Sequence, residues 1–346
     1  MRVMCQYISR SEATVLKGIA VLSVILAHAN GWKAFTGIPI KATTIFCSGG
    51  MCLFLILSGY GVFSSFSANG LERFWDKKFK KIMFPAILTQ TMFYIFRCFY
   101  DYVQSGVIDL HYGTVLGDIL AVNPTNWIDP SLWYLSYLFF CYTAFYLFFW
   151  IFKNVDIAFW LFTLFWICTA PFERFIYGGN GYYCVFAFWV GVAFSYGENH
   201  KGIKPGNLHK WVQAFFMVCF FVIGGCVFYR YYRVNRIFDN IACTLQAIAF
   251  IILFHFIDCG KLKVLSYIGK HSYMMYLLQG KVICWVFQYD RNYLSLPNAT
   301  RTLAFVVLFS LNVVLSSAMD RIIDKIQSRD NLPKPNNVSV KPNGDL

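Results

Sequence analysis

Charged side chains are what this 346-residue chain has least of: they make up 14% of it, with 17 acidic residues against 30 Lys and Arg. So little charge beside 58% hydrophobic residues excludes a soluble globular domain, and the length is too great for a single membrane anchor. The chain also lacks any Cys-x-x-Cys pair. Its 12 cysteines are scattered, mostly inside apolar blocks, and Cys47 and Cys52 stand five apart within one expected helix. Neither a zinc site nor a disulfide framework is supported, and buried free thiols are expected. No internal repeat is evident and no soluble second domain is attached. The net charge of +13 raises the question of a nucleic-acid partner, but the basic residues lie between the apolar blocks rather than in one patch. That distribution encodes topology, and no nucleic acid is expected.

Apolar blocks of about 17–22 residues, the length that crosses a bilayer, fill the rest. Aromatics are 20% of the chain and cluster at block ends, where amphipathic rings favour the headgroup region. The pattern predicts an all-α fold, a polytopic integral membrane helical bundle of about ten transmembrane helices. The expected spans are residues 16–32, 43–66, 84–101, 132–152, 157–171, 182–197, 211–229, 240–257, 271–288 and 302–319. The fifth and sixth are short, and Pro171 ends the fifth. The ninth carries Gln279 and Lys281 and is expected to face the protein interior.

With the N-terminus inside, alternate connections collect 20 of the 30 basic residues, which predicts an even number of spans and both termini cytoplasmic. Arg230, Arg233 and Arg236 dissent, since they fall outside; either a span is miscounted or an external site meets a polar or anionic substrate. The longest connection, about 102–131, carries Asp109, His111, Asp118 and Asp129 and is long enough to be functional. Residues 331–346, polar with Pro333, Pro335 and Pro342, read as a disordered cytoplasmic tail. Gly18 to Leu26 is similar to a secretory signal core, with Ala27-His28-Ala29 as a small-x-small cleavage site; the polytopic pattern and the run on to Trp32 argue for a retained span.

Lys17 and His28 are the most informative pair. Eleven residues at about 100° each make three turns plus roughly 20°, so both side chains share one helix face, about 16 Å apart along the axis. Ionisable groups within a span are functional candidates because placing them in hydrocarbon is costly. A neutral imidazole can take a proton from a hydroxyl, and a lysine near the cytoplasmic surface can hold an anionic group such as a phosphate. A packed histidine and a snorkelling lysine anchor explain the two residues as well.

Glu12 through His28, with Leu16-Lys17-Gly18-Ile19-Ala20 and then His28, resembles the opening signature of the membrane acyltransferase-3 family, in which a basic residue and a histidine are separated by ten residues. Four later segments extend the resemblance. Gly49 to Tyr60, ending Ser58-Gly59-Tyr60, is similar to the second-helix motif. Lys77-Lys78-Phe79-Lys80-Lys81-Ile82-Met83-Phe84-Pro85 is similar to the basic run that closes on proline. Leu132-Trp133-Tyr134-Leu135 resembles the opening of the fourth helix, and Gly269 to Gln279 the Gly-x-x-Ser-Tyr-x-x-Tyr-Leu-x-His element. Order and spacing hold over about residues 9–320, read as one transmembrane domain. Three positions depart: Lys17 replaces the usual arginine, Gln279 stands where histidine is common, and Cys52 stands where an acidic residue or proline is common.

The resemblance implies transfer of an acyl group, usually acetyl from acetyl-CoA, to a hydroxyl of a sugar or envelope glycan at the plasma (inner) membrane. No metal is called for, and the implied partners are membrane lipid, acyl-CoA and a carbohydrate or lipid-linked glycan. His28 would act as general base and Lys17 would help seat CoA beside Lys77, Lys78 and Lys81. Ser58 and Tyr60 are candidate donors to the oxyanion, Arg97 a contact for acceptor or intermediate, and Trp133 and Tyr134 stacking surfaces for a sugar ring. Helix packing, an interfacial anchor and an aromatic belt explain these last five residues too. A relay through acyl-histidine stands beside direct transfer, and a transporter or flippase is the rival class; the missing repeat argues against it.

Overall fold

A computed structural model describes residues 7–31, 33–34, 40–107, 115–120, 129, 132–169, 184–203, 208–231, 236–289 and 295–329, without the side chains of 40–48, 236, 288–289 and 329. Every regular element among them is helical. The helices are α1 (Arg10–Gly31), α2 (Ile40–Asn69), α3 (Phe74–Lys78), α4 (Phe84–Ser105), α5 (Val115–Ile119), α6 (Trp133–Ile151) and α7 (Val155–Thr169). There follow α8 (Val185–Asn199), α9 (Lys210–Tyr231), α10 (Arg236–His255), α11 (Lys263–Lys270), α12 (Ser272–Gln279), α13 (Trp285–Tyr289) and α14 (Asn298–Arg329).

Among the described residues, seven stretches are long and apolar enough to cross a membrane: Arg10–Gly31, Gly49–Asn69, Phe74–Ser105, Trp133–Ile151, Lys210–Tyr231, Ile237–His255 and Asn298–Ser328. This is an integral membrane protein. The other three expected spans fall short for separate reasons. Helices α7 and α8 have 15 residues each, about 22 Å of rise against a hydrocarbon core of about 30 Å. The ninth runs unbroken from α12 through a π-helical turn, Gly280–Cys284, into α13, but Gln279 and Lys281 leave it less apolar than the other spans. A second π turn, Phe79–Met83, joins α3 to α4, so the third helix begins ten residues before the expected residue 84. Pro171 and the residues after 169 in the fifth span, the start of the sixth span, Asp109, His111, Arg233 and the 331–346 tail lie outside the described residues.

Local chemistry sets several helix ends. Ser9 and Glu12 form a reciprocal capping box on α1: Ser9 N–H donates to Glu12 Oε2 at 2.6 Å and Glu12 N–H to Ser9 Oγ at 3.2 Å. Asn154 Oδ1 receives the Asp156 and Ile157 amides and starts α7. Gly106, at φ 70°, closes α4 by returning its amide to the Tyr102 carbonyl.

Burial divides the bundle into a centre and a rim. In Trp133–Ile151 and Ile237–His255, 61% of the apolar window is buried, whereas in Lys210–Tyr231 it is 17%. The apolar side chains along α9, from Trp211 to Ile223, face outward, as a lipid-facing helix requires. Helix α2 runs through the centre between α1 and α8. Its approach to α8 is a backbone contact: a Cβ on Gly191 would overlap the Ile56 carbonyl, and one on Gly59 the Phe188 carbonyl. Small residues allow this proximity where lipid gives no hydrophobic drive to association.

Candidate active site

The central helices enclose two polar regions in line with α1. The first is a cavity of about 490 Å³, within the usual range for a small-molecule site. Lys17, Lys77, Lys78, Lys81 and Lys270 line it, with Glu72 as its acidic wall residue. None of the five lysines has a carboxylate within ion-pair distance among the described residues. Lys78 instead lies over the Tyr142 ring, 4.0 Å from its centroid. The cations converge because α1 and α11 touch through backbone at Gly18 and Gly269, bringing Lys17 beside Lys270, while the π turn carries Lys81 to the same opening. Such π turns occur often at functional sites.

Part of the cavity lining is aromatic, a floor of three rings from α2, α6 and α12. Tyr134 lies 5.6 Å from Tyr276 in edge contact and 6.3 Å from Phe54. Ser58 lines the wall beside the Tyr142 hydroxyl.

The second region is at His28, three turns along α1 from Lys17. The side chains that act on its imidazole are the Asp129 carboxylate and the Gln279 amide. Asp129 is 2% exposed and pairs with Lys281, Nζ to Oδ2 2.9 Å; Lys281 also donates to the Leu277 carbonyl at 2.6 Å. The second π turn makes this possible. Asp129 sits directly against Gly280, where any Cβ would collide with the carboxylate, and its carbonyl receives the Leu132 amide that opens α6. Gln279 is 1% exposed, and its Nε2 has no hydrogen-bond partner. An amide buried in that state costs about 1–3 kcal/mol.

The sequence candidates divide between these regions. Lys17, Ser58, Lys77, Lys78, Lys81 and Tyr134 meet in the cavity. His28 stands in the second region, three turns along α1 from Lys17. Arg97, half-buried, has Asp101 3.9 Å away and lies one turn from Phe93, whose ring is 6.0 Å from Lys281, so it flanks the second region. Trp133 packs in edge contact with Tyr134 outside the cavity lining. Tyr60 turns the other way: its hydroxyl donates to Glu198 at 2.5 Å, in a brace that also takes the Tyr7 amide. Cys52 is buried with its sulfur 3.6 Å from that of Cys184. Sequence reasoning did not give Asp129, Gln279 or Lys281 a role at the site. The two polar residues in the ninth span and the acidic residues of the long connection were the available signal. Among the described residues no group of His, Cys, Asp and Glu forms a metal-holding cluster.

A family profile described as an acyltransferase domain matches residues 11–321. The chain therefore belongs to the acyltransferase-3 family and is a membrane acyltransferase. No curated protein and no solved structure matches it.

Proposed function

We propose that the protein transfers an acyl group, acetyl in the simplest case, from acyl-CoA to a hydroxyl of a cell-envelope carbohydrate. The observation that carries this reading is the set of five lysines, without carboxylate partners among the described residues, around a cavity whose Lys17 shares one helix with His28. Cations left without counter-charges hold polyanions, and the phosphates of CoA are such a polyanion. The positive-inside pattern supports a cytoplasmic lysine-lined mouth, where acyl-CoA is found, and the plasma (inner) membrane is the proposed location.

Lys17, Lys77, Lys78, Lys81 and Lys270 hold the phosphates, and the aromatic floor of Phe54, Tyr134 and Tyr276 admits the narrow thioester arm toward His28. His28 takes the proton of the acceptor hydroxyl as its oxygen adds to the thioester carbonyl carbon. The tetrahedral adduct then releases the thiolate, and His28 returns the proton to sulfur. Asp129 supplies negative charge beside the imidazolium formed between these steps, and Lys281 fixes Asp129. Arg97 and Trp133 stand on the acceptor's side.

Mass spectrometry of the host's surface glycans tests this, comparing intact protein, His28→Ala and a deletion. Loss of one acyl mass in both variants, with the His28→Ala protein still in the membrane, is the expected result. Loss on deletion alone would make His28 a packing residue. Unchanged glycans in both would remove the carbohydrate acceptor and reopen transport.

A further inference from the structure

The reaction above leaves one need unmet. Addition to a thioester carbonyl places negative charge on its oxygen, and a dry site must supply a donor for it. Ser58 lines the cavity above the aromatic floor, and the Tyr60 hydroxyl is committed to Glu198. Neither stands with His28. The Gln279 amide does: it stands in hydrogen-bonding reach of the His28 imidazole, is almost fully buried, and its Nε2 has no hydrogen-bond partner. A buried primary amide with two unused N–H donors beside the base is the state expected of a group whose partner arrives with the substrate.

The neighbouring groups fit that role. Asp129 lies against Gly280, the residue after Gln279, and Lys281 holds that carboxylate. The carboxylate is thereby occupied by an ammonium rather than accepting from the Gln279 amide. Lys281 has a third N–H beyond those given to Asp129 and Leu277.

We infer that Gln279 is a catalytic residue, the donor that receives the thioester carbonyl oxygen through Nε2–H as His28 takes the acceptor's proton. As the acceptor oxygen–carbon bond forms, the carbonyl π pair moves onto that oxygen and Gln279 donates to it. When the pair returns, the carbon–sulfur bond breaks, the thiolate leaves, and His28 protonates it. This assignment rests on the acyl-CoA reading and on His28 as base. The chemistry suits the place: an amide is a permanent neutral donor that never competes with His28 for the proton.

The test uses the full chain in lipid nanodiscs, with radiolabelled acetyl-CoA and the glycan fraction of the host as acceptor. Three quantities are read for Gln279→Leu, Gln279→His and His28→Ala: transfer rate, CoA affinity and melting temperature. Gln279→Leu should lower the rate about 10²–10³-fold, the usual effect of removing one oxyanion donor. CoA affinity should stay within about twofold, because the interaction forms only as charge develops. The melting temperature should be unchanged or higher, since an unpartnered buried amide has been removed; a merely structural glutamine would show the opposite. Gln279→His keeps an N–H and should restore the rate to within about tenfold of the original protein. A Gln279→Leu rate within about threefold of the original, with His28→Ala inactive, overturns this inference alone. An active His28→Ala protein overturns the reading beneath it.

Discussion

The two polar regions on α1 handle positive charge in opposite ways. In the cavity five lysines face open space, and among the described residues no carboxylate pairs with any of them. In the region around His28 a single lysine, Lys281, is held by Asp129 at 2.9 Å with both side chains at most 4% exposed. Access accounts for the difference. A lysine on a cavity wall can take its counter-charge from an anionic ligand that enters. A lysine in a dry site must carry its counter-charge with it, because an uncompensated buried charge costs several kcal/mol. A cavity of unpaired cations is built to bind and release; a paired cation is built to stay.

Breaking the buried pair should therefore have the largest effect. Lys281→Met or Asp129→Asn alone should cost about 3–5 kcal/mol of stability, whereas the double change Asp129→Leu with Lys281→Met should recover most of it. Lys78→Met, on the cavity wall, should cost less than about 1 kcal/mol. Melting of the purified protein in nanodiscs measures all four, and equal losses at Lys281 and Lys78 would erase the distinction between the regions.

Ligand binding should show the reverse order. Replacing Lys17 and Lys78 together by Gln should weaken CoA about 10–100-fold by calorimetry, as expected for losing two charge-assisted contacts. Raising the salt concentration should weaken CoA in the original protein and much less in the double variant. A CoA affinity indifferent to both changes would take the donor elsewhere. Lys17→Arg should sharpen the cavity by restoring a planar fork for phosphate, raising CoA affinity about 3–10-fold; a loss of affinity would mean that Lys17 does not meet phosphate.

The smallest effect is expected at a third lysine, Lys201, whose partner is Asp156 at 2.8 Å on the exposed surface. The hydrogen bond to Asp156, then that to Tyr196, holds the Lys201 ammonium above the ordinary lysine range. Because the folded-state value is the higher one, the pair's contribution is full below the unfolded-state value and disappears as pH rises through the folded-state value. Melts of Lys201→Met and the original protein should differ slightly at neutral pH and converge in strong alkali. A gap that widens with pH would reverse the sign argued here.

Much of this was legible in the chain. The membrane bundle followed from blocks of apolar residues, because only a helix satisfies every backbone hydrogen bond internally within lipid. The alignment of Lys17 with His28 followed from the fixed turn of one helix, which needs no tertiary information. The interior facing of the ninth span followed from Gln279 and Lys281, which are both buried. The π turns at Phe79–Met83 and Gly280–Cys284 were not legible: one extra residue in a helical turn leaves the apolar pattern almost unchanged. Tyr60 and Ser58, two residues apart in one motif, read as equivalent donors, yet α2 turns them about 200° from one another and only Ser58 enters the cavity.

The sequence by itself determined the class of protein, the family and the shared face of Lys17 and His28, since each depends on local composition, spacing or order along the chain. Only the tertiary structure decided which partners those residues meet. Asp129 and Lys281 are 152 residues apart, and Lys17 and Lys270 come together where two glycines let α1 and α11 touch. Packing fixes which remote side chains become neighbours, and no local pattern encodes that.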